Sequence, residues 1–245
     1  MEFLTNNAIS DSVKRTAILL TILTLINAQT ALGDSLKLGA EGVTVPKFGE
    51  DGKIKWTLRA QEVSPRADNS YLVIQPLLKT LGEYNSPTTA SAVQGIFFLK
   101  EGRARGKESI EIEGEDFQVK GEDWNWEENT QLGKNKFLIE RKGFVSFEGN
   151  IAQTDKLKIS PKVKSESHNS RDIGSLNASA TSIELLSIDK GGHEFIFEGN
   201  VSIIGNGLDI SCGKMKIIID QNVKDQNSSK RRISSITASG TVRMN

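Results

Sequence analysis

Phe195-Ile196-Phe197-Glu198-Gly199-Asn200-Val201-Ser202-Ile203-Ile204, then Gly205-Asn206-Gly207, then Leu208-Asp209-Ile210-Ser211-Cys212, is the stretch whose reading decides the fold. Apolar side chains fall on Phe195, Phe197, Val201 and Ile203. They recur at Leu208, Ile210 and Cys212 beyond the glycine turn. Alternation with a period of two on both sides of a short Gly-Asn-Gly link predicts a β-hairpin with one buried face. Within the first arm, Glu198-Gly199-Asn200 breaks the run. A glycine inside a strand pattern predicts a bulge or a close backbone approach.

The same phrase stands earlier, as Val145-Ser146-Phe147-Glu148-Gly149-Asn150-Ile151 followed by Leu157-Lys158-Ile159-Ser160. A second phrase also recurs: Ile173 to Thr181 matches Ile233 to Thr241. Two phrases repeated in the same order predict an internal β-repeat, which outranks any single motif in assigning a fold.

The rest of the chain reads the same way. Ile54, Trp56, Leu58 and Ala60 share one phase, with Lys55, Thr57, Arg59 and Gln61 on the other. Tyr71 to Leu78 predicts a further strand with an edge or bulge at Pro76. From Ala92 onward, short apolar pairs (Ile110 with Ile112, Phe117 with Val119, Trp124 with Trp126, Phe137 with Ile139) alternate with glycine turns. That rhythm predicts an all-β sandwich or barrel. Lys162–Asp172 and Gln221–Arg232 read as long polar surface loops.

The chain has 245 residues, 37% apolar and 25% charged, which supports one or two globular domains. Its 31 basic residues balance 31 acidic ones, so no basic surface calls for nucleic acid. Lys14-Arg15, the apolar run Thr16 to Ile26 and the exit Ala31-Leu32-Gly33 have the shape of a secretory signal peptide, with cleavage expected after Gly33. The rival reading is an uncleaved inner-membrane anchor facing the periplasm. A bilayer span takes about 20 apolar residues, however, and Asn27 and Gln29 interrupt this run early. A single cysteine, Cys212, excludes an internal disulfide and reads as a small buried hydrophobe.

Catalytic patterns are missing. His168 lies in a polar loop and His193 in a Gly-Gly-His turn, with no second His or Cys at metal-ligand spacing. Glu113 and Glu115 fall on an outward phase. Neither a nucleophile elbow nor a phosphate-cradling glycine loop is present. The expectation is a protein that is not an enzyme and carries no metal or cofactor.

Phe197-Glu198-Gly199-Asn200-Val201, Leu208-Asp209-Ile210-Ser211, Met215 to Ile219 and Ile233 to Val242 together resemble the OstA/LptA-like family of lipopolysaccharide-transport proteins. Trp56-Thr57-Leu58-Arg59-Ala60 and the strands to Trp126 resemble the related LptC subfamily. Ser211-Cys212 stands where the family usually has Ala-Asp. The resemblance implies an open, twisted β-jellyroll, with residues 34–130 as an LptC-like part and 131–245 as OstA/LptA-like repeats. It implies a periplasmic protein that shields lipopolysaccharide acyl chains in a hydrophobic groove. Trp56, Leu58, Phe147, Ile151, Phe195, Phe197, Val201, Ile203, Leu208 and Ile210 are the candidate lining. It also implies partners: other jellyroll transport proteins, joined by strand-edge pairing, and a complex at the inner or outer membrane. The competing expectation is a structural exported β-repeat module whose inward residues fill a core and carry no lipid.

Overall fold

The structure, a computed structural model, describes residues 39–81, 87–129, 134–148, 158–159, 175–188, 192–205, 208–224 and 231–244. The expected signal peptide, Ile151, His168 and the loop Lys162–Asp172 lie outside the described residues. What is described is all-β, with no helix.

The first part of the chain supplies β1 (Ala40–Phe48), β2 (Ile54–Pro65), β3 (Tyr71–Ile74), β4 (Leu77–Thr80), β5 (Thr88–Ala92), β6 (Gln94–Phe98), β7 (Arg103–Gly106) and β8 (Ile110–Glu113). Two long strands succeed them, β9 (Phe117–Asn129) and β10 (Lys134–Phe147). Then come β11 (Lys158–Ile159), β12 (Leu176–Ala180), β13 (Ser182–Ile188), β14 (Gly192–Gly205), β15 (Leu208–Lys224), β16 (Arg231–Ser239) and β17 (Arg243–Met244). All belong to one sheet of 17 strands, antiparallel except where β11 lies parallel to β16.

The long strands organise this sheet into two walls. Each long strand pairs with one partner through one half and with another partner through the other half. In the first wall the order is the Glu62–Pro65 half of β2, then β3, β6, β7, the Trp124–Glu127 part of β9, the first half of β10, β13, the first half of β14, the second half of β15, and β16. In the second wall it is the Trp56–Arg59 part of β2, then β4, β5, β8, the start of β9, the end of β10, β12, the end of β14, the start of β15, and β17. At about 4.8 Å per strand, each wall is roughly 40 Å long. β1 covers both halves of β2 at one end. β9 and β10 pair along their lengths, from Asn129 with Lys134 to Phe117 with Phe147.

Left-handed backbone marks several of the places where the chain passes from wall to wall. Gln75 (φ 49°) stands between β3 and β4, Asp123 (φ 53°) within β9, Lys142 (φ 53°) within β10, and Gly199 (φ 77°) with Asn200 (φ 51°) within β14. The ladder slips at Arg141/Phe144 and at Glu198/Val201, which are bulges that turn a strand sharply enough to serve both walls. Gly199 is required twice over: its φ is positive, and a Cβ there would lie 2.9 Å from Thr181 Oγ1. Backbone bonds tie these corners together, Gln75 N–H to Val93 O at 2.8 Å and Thr181 N–H to Gly199 O at 2.8 Å. Arg141 and Lys142 hold Glu122 at 3.0 and 2.8 Å outside the same bend, and the Lys142 hydrogen bond keeps that carboxyl below its usual range.

Several expected boundaries move. Tyr71 to Leu78 is two strands, because Gln75 and Pro76 form a crossing. The apolar pairs at Phe117 and Trp124 belong to one strand, β9, bent in its middle. Thr237 to Met244, where Ala238, Gly240 and Val242 share one phase and predict a single last strand, is split: the chain leaves β16 at Ser239, turns at Gly240 (φ 85°) and re-pairs as β17 on the other half of β15. Gln221–Arg232 is only partly a loop, since β15 runs on to Lys224 and β16 begins at Arg231. Charge alone pointed to a loop there, but cross-strand pairing outweighs polarity at the end of a long hairpin.

Candidate functional site

Between the walls lies one continuous apolar core, from Trp56 at one end to Ala238 at the other. It exists because each strand half alternates inward and outward side chains: β10 and β14 keep the odd phase through their bulges, whereas the inward phase changes parity between Val119 and Trp124 in β9 and between Cys212 and Met215 in β15. Of the expected lining residues, Trp56, Leu58, Phe147, Phe195, Phe197, Val201, Ile203 and Ile210 are all buried. Leu208 is half-buried and packs on this core from its edge. Cys212 is buried too, with its Sγ donating to Lys214 O at 3.3 Å, and desolvation pushes its thiol up.

The residues come together in a particular way. Phe117 and Phe147 of the second wall each meet Phe195 of the first edge to face, with ring centroids 5.0 Å apart. Phe195 and Phe197 stack along their strand. Trp56 meets Trp126 at 5.7 Å with the rings perpendicular. Trp124 is accommodated by glycine: a Cβ on Gly106, its cross-strand partner, would fall 2.5 Å from the indole. Such pairs stabilise by about 0.5–1.5 kcal/mol each beyond the area they bury. Side chains from both walls therefore fill the space between them at these positions.

The partners in these contacts reveal how the walls face each other. Trp56 on β2 reaches β9, and Thr88 on β5 reaches His193 on β14. In these two contacts a strand of one wall meets a strand several places further along the other.

The buried polar residues of this interior lie at its rims, while the indole N–H groups of Trp124 and Trp126 are buried within it. Ser70, Thr80, Thr88, Asp116, Asn135 and His193 are the buried polar residues among those described. Ser70 precedes β3, Thr80 ends β4, Thr88 begins β5, Asp116 precedes β9, and Asn135 and His193 are second in β10 and β14. Each lies at a turn end, away from the crossings. His193 Nε2 is 3.2 Å from Thr88 Oγ1, and its ring lies 4.8 Å from that of Phe117. Trp56 Nε1–H donates to Glu128 Oε2 at 2.9 Å.

His193 corrects the sequence reading, which placed it in a turn. It stands in β14, 2% exposed, on the inward phase it shares with Phe195 and Phe197. The odd-numbered alternation was the signal that could have found it. Outside the walls, Phe98, Arg103, Arg105, Asn125, Glu127, Lys136 and Leu138 help line a shallow cavity of about 280 Å³. Arg103 lies 4.0 Å over the Phe98 ring, and Lys136 is paired with Glu184 at 3.1 Å. Among the described residues no cluster of His, Cys, Asp and Glu is arranged to hold a metal ion.

No family model matches this chain, and no curated protein matches it. The class of protein is therefore defined by the fold and core alone: an all-β chain whose bent strands make two facing walls around a long apolar interior.

Proposed function

We propose that this chain is a periplasmic, OstA/LptA-like β-jellyroll that shields the acyl chains of lipopolysaccharide, or of a similar lipid, during export between membranes. The observation that carries the reading is the unbroken apolar face of both walls, roughly 40 Å long by strand count. Burying one methylene is worth about 0.8 kcal/mol, so a lipid with several acyl chains needs continuous cover to cross water. The walls supply such cover without any catalytic group. The same reading assigns residues 1–33 to an export signal, or to an inner-membrane anchor in an LptC-like component.

Partners would join at the strand edges. Among the described residues β1 is bonded only to β2, so its outer N–H and C=O groups are available to a neighbouring jellyroll. The opposite end is partly occupied: β11 lies on β16 at Thr237 and Ala238, leaving β17 and the rest of β16 as the exposed edge of the described sheet. Association would run head to tail between these ends, toward a membrane complex.

A specific observation favours a second reading, a structural exported β-module without cargo. Phe195, Phe197, Ile203 and Ile217 are fully buried, and the rings of the two walls are already in contact. Photo-crosslinking in cells separates the two. A photoreactive residue at Ile203 or Leu208 should acquire covalently attached lipid if the interior carries cargo. A folded, exported protein that crosslinks only to itself supports the structural module.

A further inference from the structure

The two walls are connected differently along their two sides. At the corners they share bent strands, and backbone bonds such as Gln75 to Val93 and Asp123 to Lys107 brace the bends. At the free ends, every ladder among the described residues stays within one wall, and the contacts across are between side chains. Two of those contacts are hydrogen bonds: the buried Thr88 with the buried His193, and the indole of Trp56 with the half-buried Glu128. A filled apolar interior has no use for hydroxyl, imidazole and amide groups, since burying polar atoms is costly and a hydrophobic filling is not. A boundary that must both close and open does have a use for them. Their hydrogen bonds hold it shut, and water can replace those bonds when it opens.

We propose that the polar seam along the free ends of the walls is a latch, and that cargo enters sideways through it rather than by threading in from the ends of the sheet. The inference rests on the lipid-cargo reading above. Opening swings the walls about Gln75, Asp123, Lys142 and Gly199–Asn200, where the left-handed backbone already makes the turn. It separates Phe117 and Phe147 from Phe195 and exposes the lining that the closed state covers. The rings that fill the closed core are then the surfaces that would meet acyl chains in the open one. The same contacts therefore explain how a core can be full at rest and still receive a lipid.

The test uses the mature protein with Cys212→Ala, carrying Thr89→Cys and Glu194→Cys. These outward positions neighbour Thr88 and His193 on opposite rims. Spin labels there should report a narrow distance, which becomes longer and broader when Thr88→Val and Glu128→Met remove the two hydrogen bonds with little change of volume. Dansyl-labelled lipid A should load several-fold faster into that variant. Joining the two cysteines with a short bismaleimide should abolish loading, and this arm does not depend on how well the latch variants fold. Loading of the cross-linked protein at the uncrosslinked rate would overturn sideways entry and leave the lipid-cargo reading standing. Failure of every form, uncrosslinked parent included, to take up lipid A would overturn the cargo reading and the latch with it. An unchanged distance distribution in the Thr88→Val, Glu128→Met variant would show that those bonds do not hold the mouth.

Discussion

Phe197 and Ser202 lie on one strand with opposite fates. Phe197 is fully buried against Phe195 and faces Met215 across the ladder, while Ser202 is half-buried on the outward phase opposite Ser211. Phe197→Asp would leave a carboxylate unpaired in the core and should destabilise the protein by about 4 kcal/mol or more. Ser202→Asp should cost less than about 1 kcal/mol. Urea denaturation of both variants checks this, and equal losses would mean the inward phase is misassigned. Cys212 supports a second prediction. Its thiol is pushed up by burial, so the folded state resists ionisation that the unfolded chain undergoes freely. That contribution to stability is complete below the unfolded thiol's pKa of about 8.5 and is lost as pH rises above it toward the folded value. Cys212→Ala should flatten the alkaline side of the pH–stability curve. Native Cys212 should also react with a maleimide far more slowly than in urea.

At the scale of the element, the bent strands carry the architecture, and their bends are specific backbone conformations. Gly199→Ala places a Cβ against Thr181 at a positive φ, so it should destabilise by about 1–3 kcal/mol. Asn200→Gly, beside it at φ 51°, relieves a left-handed non-glycine residue and should be neutral within about 1 kcal/mol. Thermal melts of the pair test whether the crossing depends on that glycine. The repeated phrase shows how local and long-range information divide here. In Phe197-Glu198-Gly199-Asn200 the break is a crossing between walls. In the earlier copy, β10 ends at Phe147, and Glu148 N–H bonds back to Asp116 O at the rim. In the later copy β14 continues past the bulge to Gly205. Past the bulge, the course of β14 is set by pairing with β12 and β15.

For the whole molecule, the exposed question is which end recruits a partner. Along an antiparallel edge, alternate residues turn their N–H inward to the ladder or outward to solvent. Pro46 sits within β1 without disrupting its pairing to β2, so its missing donor falls on the outward set, together with Thr44. Thr44→Pro should therefore weaken head-to-tail association by about tenfold or more and leave the melting temperature nearly unchanged. Val43→Pro should remove a bond to β2 and lower the melting temperature. Analytical ultracentrifugation with parallel melts distinguishes the two, and identical behaviour would argue against β1 as a docking edge.

The sequence alone determined the all-β class, the inward phase from Trp56 to Ile210, the bulge at Glu198-Gly199-Asn200 and the buried state of Cys212. All arise from a period of two residues and from glycine's freedom, which are local properties. Only the tertiary structure decided that β9, β10, β14 and β15 each serve two walls, and that Phe117 and Phe147 converge on Phe195. It also drew His193 out of an expected turn to face Thr88, and split the last strand at Gly240. Those outcomes depend on pairing between residues far apart in the chain. Alternation states which side of a strand faces inward, but it carries no information about what lies opposite.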